Sequence, residues 1–334
     1  MKISFGRLSR ETYELGPKPT SSVTATYASN KITITVTEGS TSIQFVATIT
    51  PPASSSTKGP YPAFIPLGGA SIPIPSHVAL ISFNNEEIAA TNPRAQGKFY
   101  TLYGKTHPAG GLMAWAWGVS RVIDALEKLP ASTTNIDTTR LGVTGCSRNG
   151  KGAMIAGAFD DRIQLTIPQE PGSGGSGSWR IVAEMKKNGT TVEDATQIVQ
   201  GDGWFATEFE KYVNNVNVLP FDHHMLSGLI APRGLLIIEN SGIDYLGPVS
   251  SYGCAVAAQL VYGALGVKDH LGFSQASHGT SHCQMPSSQQ GDLTAFINSF
   301  LLNKTGVSTD VFKTDGKFTF DVKRWVDWTA ATLT

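Results

Sequence analysis

The residues best placed to do chemistry lie in the stretch 140–153, R-L-G-V-T-G-C-S-R-N-G-K-G-A. Apolar residues at 141–144 predict the end of a buried strand. Gly145 to Gly150 then reads as a sharp turn, and residues 151–159, K-G-A-M-I-A-G-A-F, as a helix. A serine at such a junction can act as a nucleophile, because the turn lifts its Oγ clear of the sheet. The amides and dipole at the helix start favour a developing oxyanion there. Glycines on either side let the two backbones pass closely while Ser147 takes a strained conformation. The spacing is G-x-S-x-x-G, with the second glycine one place later than in the usual G-x-S-x-G turn. The competing reading is an ordinary Gly-rich strand–helix connection.

A serine nucleophile needs a base and an acid that orients it, in the chain order Ser, acid, His for an α/β-hydrolase. Near the end of the chain, S-H-G-T-S-H-C-Q-M-P offers His278 and His282. Cys283 follows His282 as Cys146 precedes Ser147, which favours His282 and leaves His278 as the fallback. If Ser147 and His282 meet, the two cysteines are close as well. A bridge there would be worth up to about 5 kcal/mol through loop-closure entropy. For the acid, Glu170 lies in P-Q-E-P-G-S-G-G, and Asp244 lies after the apolar run 235–240, the more usual position. Residue chemistry alone leaves both open. No C-x-x-C pair points to a metal. His223-His224 after Asp222 reads as a structural loop, so no metal and no cofactor is called for.

These residues need a scaffold. Two alternating runs, 31–37 and 42–49, flank the turn 38–40 and predict an N-terminal hairpin. Apolar runs at 61–67, 78–83, 163–168, 234–240 and 271–276 suit buried strands. Gly68-Gly69, after the first of them, is a place where an oxyanion amide could be supplied. Helical patterns cover 112–129, 179–187, 226–232, 252–265 and 289–302. Trp115 and Trp117, in the first of these, read as packing residues. The alternation of strands and helices predicts an α/β fold, with helices on both faces of a mostly parallel sheet. The Gly/Ser-rich stretch 172–178 reads as a tight functional loop inside one domain.

Composition sets outer bounds. The 334 residues carry 26 basic and 26 acidic side chains, so no basic footprint suggests nucleic acid. No apolar run approaches the roughly 18 residues of a spanning helix, and no cationic amphipathic helix suggests a membrane surface. Hydrophobic residues make up 40%, enough for a real core, whereas only 16% are charged, a balance common in secreted proteins. The sequons at Asn188 and Asn303 are compatible with a secreted glycoprotein. Residues 1–16 contain no apolar signal core.

The stretch V-T-G-C-S-R-N-G-K-G-A resembles the signature of the fungal glucuronoyl esterases, carbohydrate esterase family 15. Further blocks resemble the same family in order: G-G-A-S-I-P-I-P (68–75), Q-G-K-F-Y-T-L-Y-G (96–104), A-W-A-W-G-V-S-R (114–121), T-I-P-Q-E (166–170), L-P-F-D-H-H (219–224) and A-P-R-G-L-L-I-I-E-N (231–240). The resemblance implies an α/β-hydrolase fold, a three-layer α/β/α sandwich with a shallow, exposed site. It implies a serine esterase that cleaves the ester between 4-O-methyl-glucuronic acid of glucuronoxylan and lignin alcohols. It further implies Ser147 as nucleophile, His282 as base, Glu170 as acid and a Cys146–Cys283 disulfide. Arg148 would support the oxyanion, and Lys151 would bind sugar hydroxyls.

The sequence departs from the family at its sugar-binding positions. The family's Gln and Glu fall at Glu193 and Gly201, with Gln197, Gln200 or Asp202 as substitutes, and its Trp falls at Tyr245. The cysteine partner of Cys254 is replaced near Ser178, so Cys254 is expected to be free. The chain is expected to be a single secreted, monomeric catalytic domain that lacks the family's N-terminal segment, because Tyr13-Glu14-Leu15-Gly16 resembles an internal piece. Another carbohydrate esterase of acetyl-xylan type, or a non-catalytic sugar-binding relative, is the alternative.

Overall fold

Alternation at the start of the chain produces a three-stranded antiparallel ribbon: β1 (Ser22–Ala28), β2 (Lys31–Glu38) and β3 (Thr41–Thr50). The computed structural model describes residues 21–53, 58–330 and 332, so the reading of residues 1–16 lies outside the described residues. Ile32, Ile34 and Val36 of β2 and Ile43, Phe45, Ala47 and Ile49 of β3 face the core, while their neighbours face out. The predicted hairpin is present, and β1 adds a strand that the pattern did not announce. Its two-residue turn is Ser29-Asn30, both with positive φ (52° and 63°). That geometry suits the twist of a hairpin but lacks the usual Asn-Gly signal.

The remaining strands are β4 (Tyr61–Pro66), β5 (Ala79–Phe83), β6 (Ile136–Cys146), β7 (Ile163–Gln169), β8 (Gly234–Glu239), β9 (Leu271–Gln275) and β10 (Phe312–Thr314). The ten strands form one sheet in the order β1-β2-β3-β5-β4-β6-β7-β8-β9-β10. It is antiparallel as far as β5 and parallel from there on. Strands β8 and β9 are buried at every position, as expected of parallel strands covered on both faces.

The principal helices are α1 (Gly111–Lys128), α2 (Arg148–Phe159), α3 (Trp179–Lys187), α4 (His223–Ile230), α5 (Pro248–Ala264) and α6 (Ser287–Phe300). One apolar layer packs Trp115 and Ile123 of α1 and Met154 and Ile155 of α2 against the sheet. The other packs Leu293, Phe296 and Ile297 of α6 against Phe64, Ile167 and Ile238. Three layers therefore follow from helices on both faces, the α/β-hydrolase arrangement. Trp115 is fully buried and donates Nε1–H to the Ala89 carbonyl at 2.8 Å, a packing role as read. Helix α4 starts three residues earlier than its apolar pattern suggests, because the buried Asp222 caps it through the His223 N–H. Ser147, Glu170 and the late histidines all follow the carboxyl ends of parallel strands, so one edge of the sheet gathers them.

Candidate active site

Ser147 directly follows β6 with φ 57° and ψ −127°, a conformation L-residues avoid. Its N–H is held by the Gln169 carbonyl at 2.9 Å, and its hydroxyl makes no capping bond to α2. The side chain is thus left available. The flanking glycines explain the unusual spacing. A β-carbon on Gly145 would lie 2.6 Å from the Asn149 carbonyl oxygen, and one on Gly150 would lie 2.8 Å from that of Gln169. The late glycine is the residue at which α2 crosses the ends of β6 and β7.

Glu170 follows β7 directly. Its φ is 45°, its side chain is fully buried and its N–H binds the Ile238 carbonyl at 2.7 Å. One carboxylate oxygen, Oε2, accepts from His282 Nδ1 at 2.6 Å and from the Cys283 N–H at 3.0 Å. The other, Oε1, lies 3.0 Å from His278 Nε2. Asp244, the rival acid, is exposed at the start of the turn Asp244–Leu246. With Nδ1 engaged by Glu170, Nε2 is the His282 nitrogen left to exchange a proton. His278 has no such nitrogen, since its Nδ1 also faces a partner, the Ala276 carbonyl at 3.1 Å.

Cys146 and Cys283 form a disulfide, with Cα atoms 5.7 Å apart and a sequence separation of 137. A ring nitrogen of His282 lies within 4.8 Å of both sulfurs, which sets the imidazole beside the residue preceding Ser147. Both sulfurs are consumed by the bridge, so they offer no thiolate to a metal.

Arg148, the first residue of α2, is half exposed, with Nη2 3.5 Å from Glu86 Oε1. Of the Gly68-Gly69 pair, the Gly68 N–H is spent on Asn85 Oδ1 at 3.0 Å. The buried Asn85 also donates to Asn149 Oδ1 at 3.1 Å, tying this loop to the elbow helix. Lys151, although polar and near a helix start, is only 2% exposed. Its Nζ donates to the Pro171 carbonyl at 2.9 Å, pairs with Glu193 Oε2 at 3.3 Å and sits 5.2 Å over the Trp204 ring. The Glu193 N–H binds the Tyr245 carbonyl at 3.0 Å, and the half-exposed Tyr245 ring meets His282 edge to face at 5.9 Å. Partial burial raises the Tyr245 hydroxyl pKa, and the charges of Glu170 and Glu193 add to the shift. Lys151, Glu193, Trp204 and Tyr245 therefore form one polar and aromatic wall beside His282. Gly201 has φ +88° and open space around it, and Gln197 is spent in the capping box of Ala195–Ile198.

The family model described as "Glucuronyl esterase, fungi" matches residues 34–266. The chain belongs to this family. Among relatives of this glucuronoyl esterase chain, the 4-O-methyl-glucuronoyl methylesterase of Hypocrea jecorina (strain QM6a) is 53% identical over 328 residues, covering 97% of this chain and 69% of that protein. The one from Thermothelomyces thermophilus is 51% identical, covering 97% of this chain and 81% of that protein. Among solved structures, the glucuronoyl esterase catalytic domain from Hypocrea jecorina superposes with a TM-score of 0.93 at 50% identity, covering 100% of this chain and 91% of that one. A serine-to-alanine mutant of the Sporotrichum thermophile glucuronoyl esterase, in complex with methyl 4-O-methyl-β-D-glucopyranuronate, gives 0.94 at 48% identity, covering 100% and 90%.

Within this family member, sequence reasoning missed Asn85, Asn149, Trp204 and Glu239. Glu239 had a signal, a carboxylate inside the apolar run L-L-I-I-E-N. It is buried behind Glu170 and accepts from the Gly172 N–H at 3.3 Å, from Ser176 Oγ and from Ser251 Oγ at 3.1 Å. Burial pushes its pKa up to about 7, with Glu170 adding to the shift. Cys254 is a free, buried thiol, as expected, and burial raises its pKa well above the ordinary range. Ser178 Oγ donates to Asp222 Oδ2 at 2.7 Å. The buried His223 has Nδ1 2.6 Å from the Gly175 carbonyl, and His224 stacks on Trp328; the pair forms the first turn of α4 rather than the loop expected, because Asp222 caps the helix there.

Proposed function

We propose that the protein is a serine esterase that hydrolyses the ester between 4-O-methyl-glucuronic acid of glucuronoxylan and lignin alcohols. The observation that carries the reading is the 2.6 Å contact of Glu170 with His282 Nδ1, on an imidazole tied to the Ser147 elbow by the Cys146–Cys283 disulfide. Ser147 Oγ attacks the ester carbonyl while His282 Nε2 takes its proton, and Glu170 stabilises the imidazolium that forms. The Arg148 backbone N–H at the head of α2 receives the oxyanion. Its guanidinium adds charge, since the exposed pair with Glu86 is weak enough to yield. His282 then protonates the leaving alcohol, and water attacks the acyl-enzyme by the same route. Lys151, Glu193 and Tyr245 hold the sugar, with Trp204 backing the lysine.

A monomer secreted as a glycoprotein fits a chain with a disulfide, since such bridges persist in oxidising compartments. Asn188 and Asn303 are both exposed, and among the described residues no helix is long and apolar enough to cross a membrane. The deciding experiment compares benzyl glucuronate with 4-nitrophenyl acetate for the protein and for Ser147→Ala. Uronate-selective turnover lost in the variant is the expected result. Faster turnover of the acetate would make the protein a different carbohydrate esterase, and no turnover from folded protein would overturn the reading.

A further inference from the structure

Two imidazoles, not one, meet the buried Glu170 carboxylate, and the proposed mechanism uses only His282. We propose that His278 is a positioning residue, gripping the carboxylate oxygen that His282 leaves and so fixing the plane in which Glu170 presents its charge. The proposal rests on the reading of Glu170 and His282 as acid and base.

The buried Glu170 side chain reaches from the end of β7 to the loop after β9. Oε2 takes two donors from that loop, His282 Nδ1 and the Cys283 N–H. Both bind the same oxygen, so they leave the carboxylate free to pivot about it. His278 Nε2, 3.0 Å from Oε1, supplies the third point that stops the pivot. The His278 side chain is only 12% exposed, so water is a poor substitute for this contact. On the far side of the ring, Nδ1 lies 3.1 Å from the Ala276 carbonyl oxygen. Its main chain is anchored by Asn240, whose Oδ1 accepts the His278 N–H at 3.3 Å and whose Nδ2 donates to the Gly279 carbonyl at 3.0 Å. Asp315 clamps the preceding residue by accepting the Ser277 N–H. A loop pinned this way places the imidazole as deliberately as it places His282.

Removing a donor from a buried carboxylate oxygen leaves that oxygen unpaired, and the group turns to recover a partner. The loss then falls where charge on Glu170 matters most, in the transition state with His282 protonated, and so on kcat rather than KM.

The test compares wild type, His278→Leu, His278→Gln and His282→Ala on benzyl glucuronate, with thermal melts to confirm folding. Glutamine can present an N–H near the position of the imidazole Nε2, whereas leucine cannot. His278→Leu should lose about 10- to 100-fold in kcat with KM within twofold of wild type, and His278→Gln should recover to within about threefold. Full kcat in His278→Leu overturns the proposal, as does equal loss in both His278 variants. A loss matching His282→Ala also overturns it, since that would make His278 the base. Proton NMR gives a readout independent of turnover. The low-field signal of the His282–Glu170 proton should shift or broaden in His278→Leu and persist in His278→Gln. An unchanged signal in the leucine variant overturns the proposal even if wild type hydrolyses no uronate ester, a result that would separately sink the esterase reading.

Discussion

Glu170 and Asp244 are equivalent as sequence: each is a carboxylate in a loop after a buried strand. What separates them is three-dimensional, since only Glu170 has its backbone held at positive φ against β8 and its carboxylate turned to the loop after β9. Glu170→Gln should therefore lower kcat on a uronate ester by about 10³-fold or more, by analogy with loss of the orienting carboxylate in other triads. Asp244→Asn should stay within about twofold, and steady-state kinetics on the two purified variants separates them. Lys151 shows the same limit of sequence reasoning. As a sequence feature it is a solvated cation at a helix start, yet it is buried among a carbonyl, a carboxylate and an indole. Partners drawn from residues 171, 193 and 204 converge only after folding, so nothing local announces them. If Lys151 holds the sugar as proposed, Lys151→Met should raise KM for the uronate ester by about tenfold with a smaller effect on kcat, since a sugar contact is lost rather than one to the reacting atoms.

The elements were largely legible because their periods are strong. The alternation of β2 and β3, the continuous apolar runs of the central strands and the three-four spacing of α1 each follow from the face they must bury. The elements that escaped are short or lack a turn signal: β10 has three residues, and β1 turns on Ser-Asn. The elbow lies between these cases. Its glycines are plain in the sequence, but the reason for their spacing is the approach of α2 to the carbonyls of 145 and 169. Gly150→Ala should destabilise the protein by about 1–3 kcal/mol, because backbone oxygens cannot yield as a side chain can, and should abolish esterase activity. Gly291, inside α6 with open space around it, is the control. Gly291→Ala should be neutral or stabilising by up to about 1 kcal/mol, with activity unchanged. Urea melts and a fixed-substrate assay on both variants check the pair.

For the whole molecule, the buried Glu239 couples stability to pH. Its pKa is raised in the folded state, so folding takes up a proton between its ordinary value of 4.5 and about 7. The folded protein binds more protons than the unfolded chain in that window, so this contribution is complete below it and is lost as pH rises through about 7. Glu239→Gln keeps an acceptor for Gly172, Ser176 and Ser251 without the charge. Its stability should match wild type near pH 4.5 and exceed it at pH 8 by something on the order of 2–3 kcal/mol, read from urea melts at the two pH values. The Cys146–Cys283 disulfide has a further effect, set by its place in the chain. It closes a ring of backbone that contains Glu170, the wall of Lys151, Glu193, Trp204 and Tyr245, and three of the central strands. A single proteolytic cut in an exposed loop of that ring opens it without releasing a fragment, and Ser147 and His282 remain joined through the bridge between their neighbours. A nicked molecule of this kind should migrate as one species until it is reduced, then as two, and should keep its activity up to that moment.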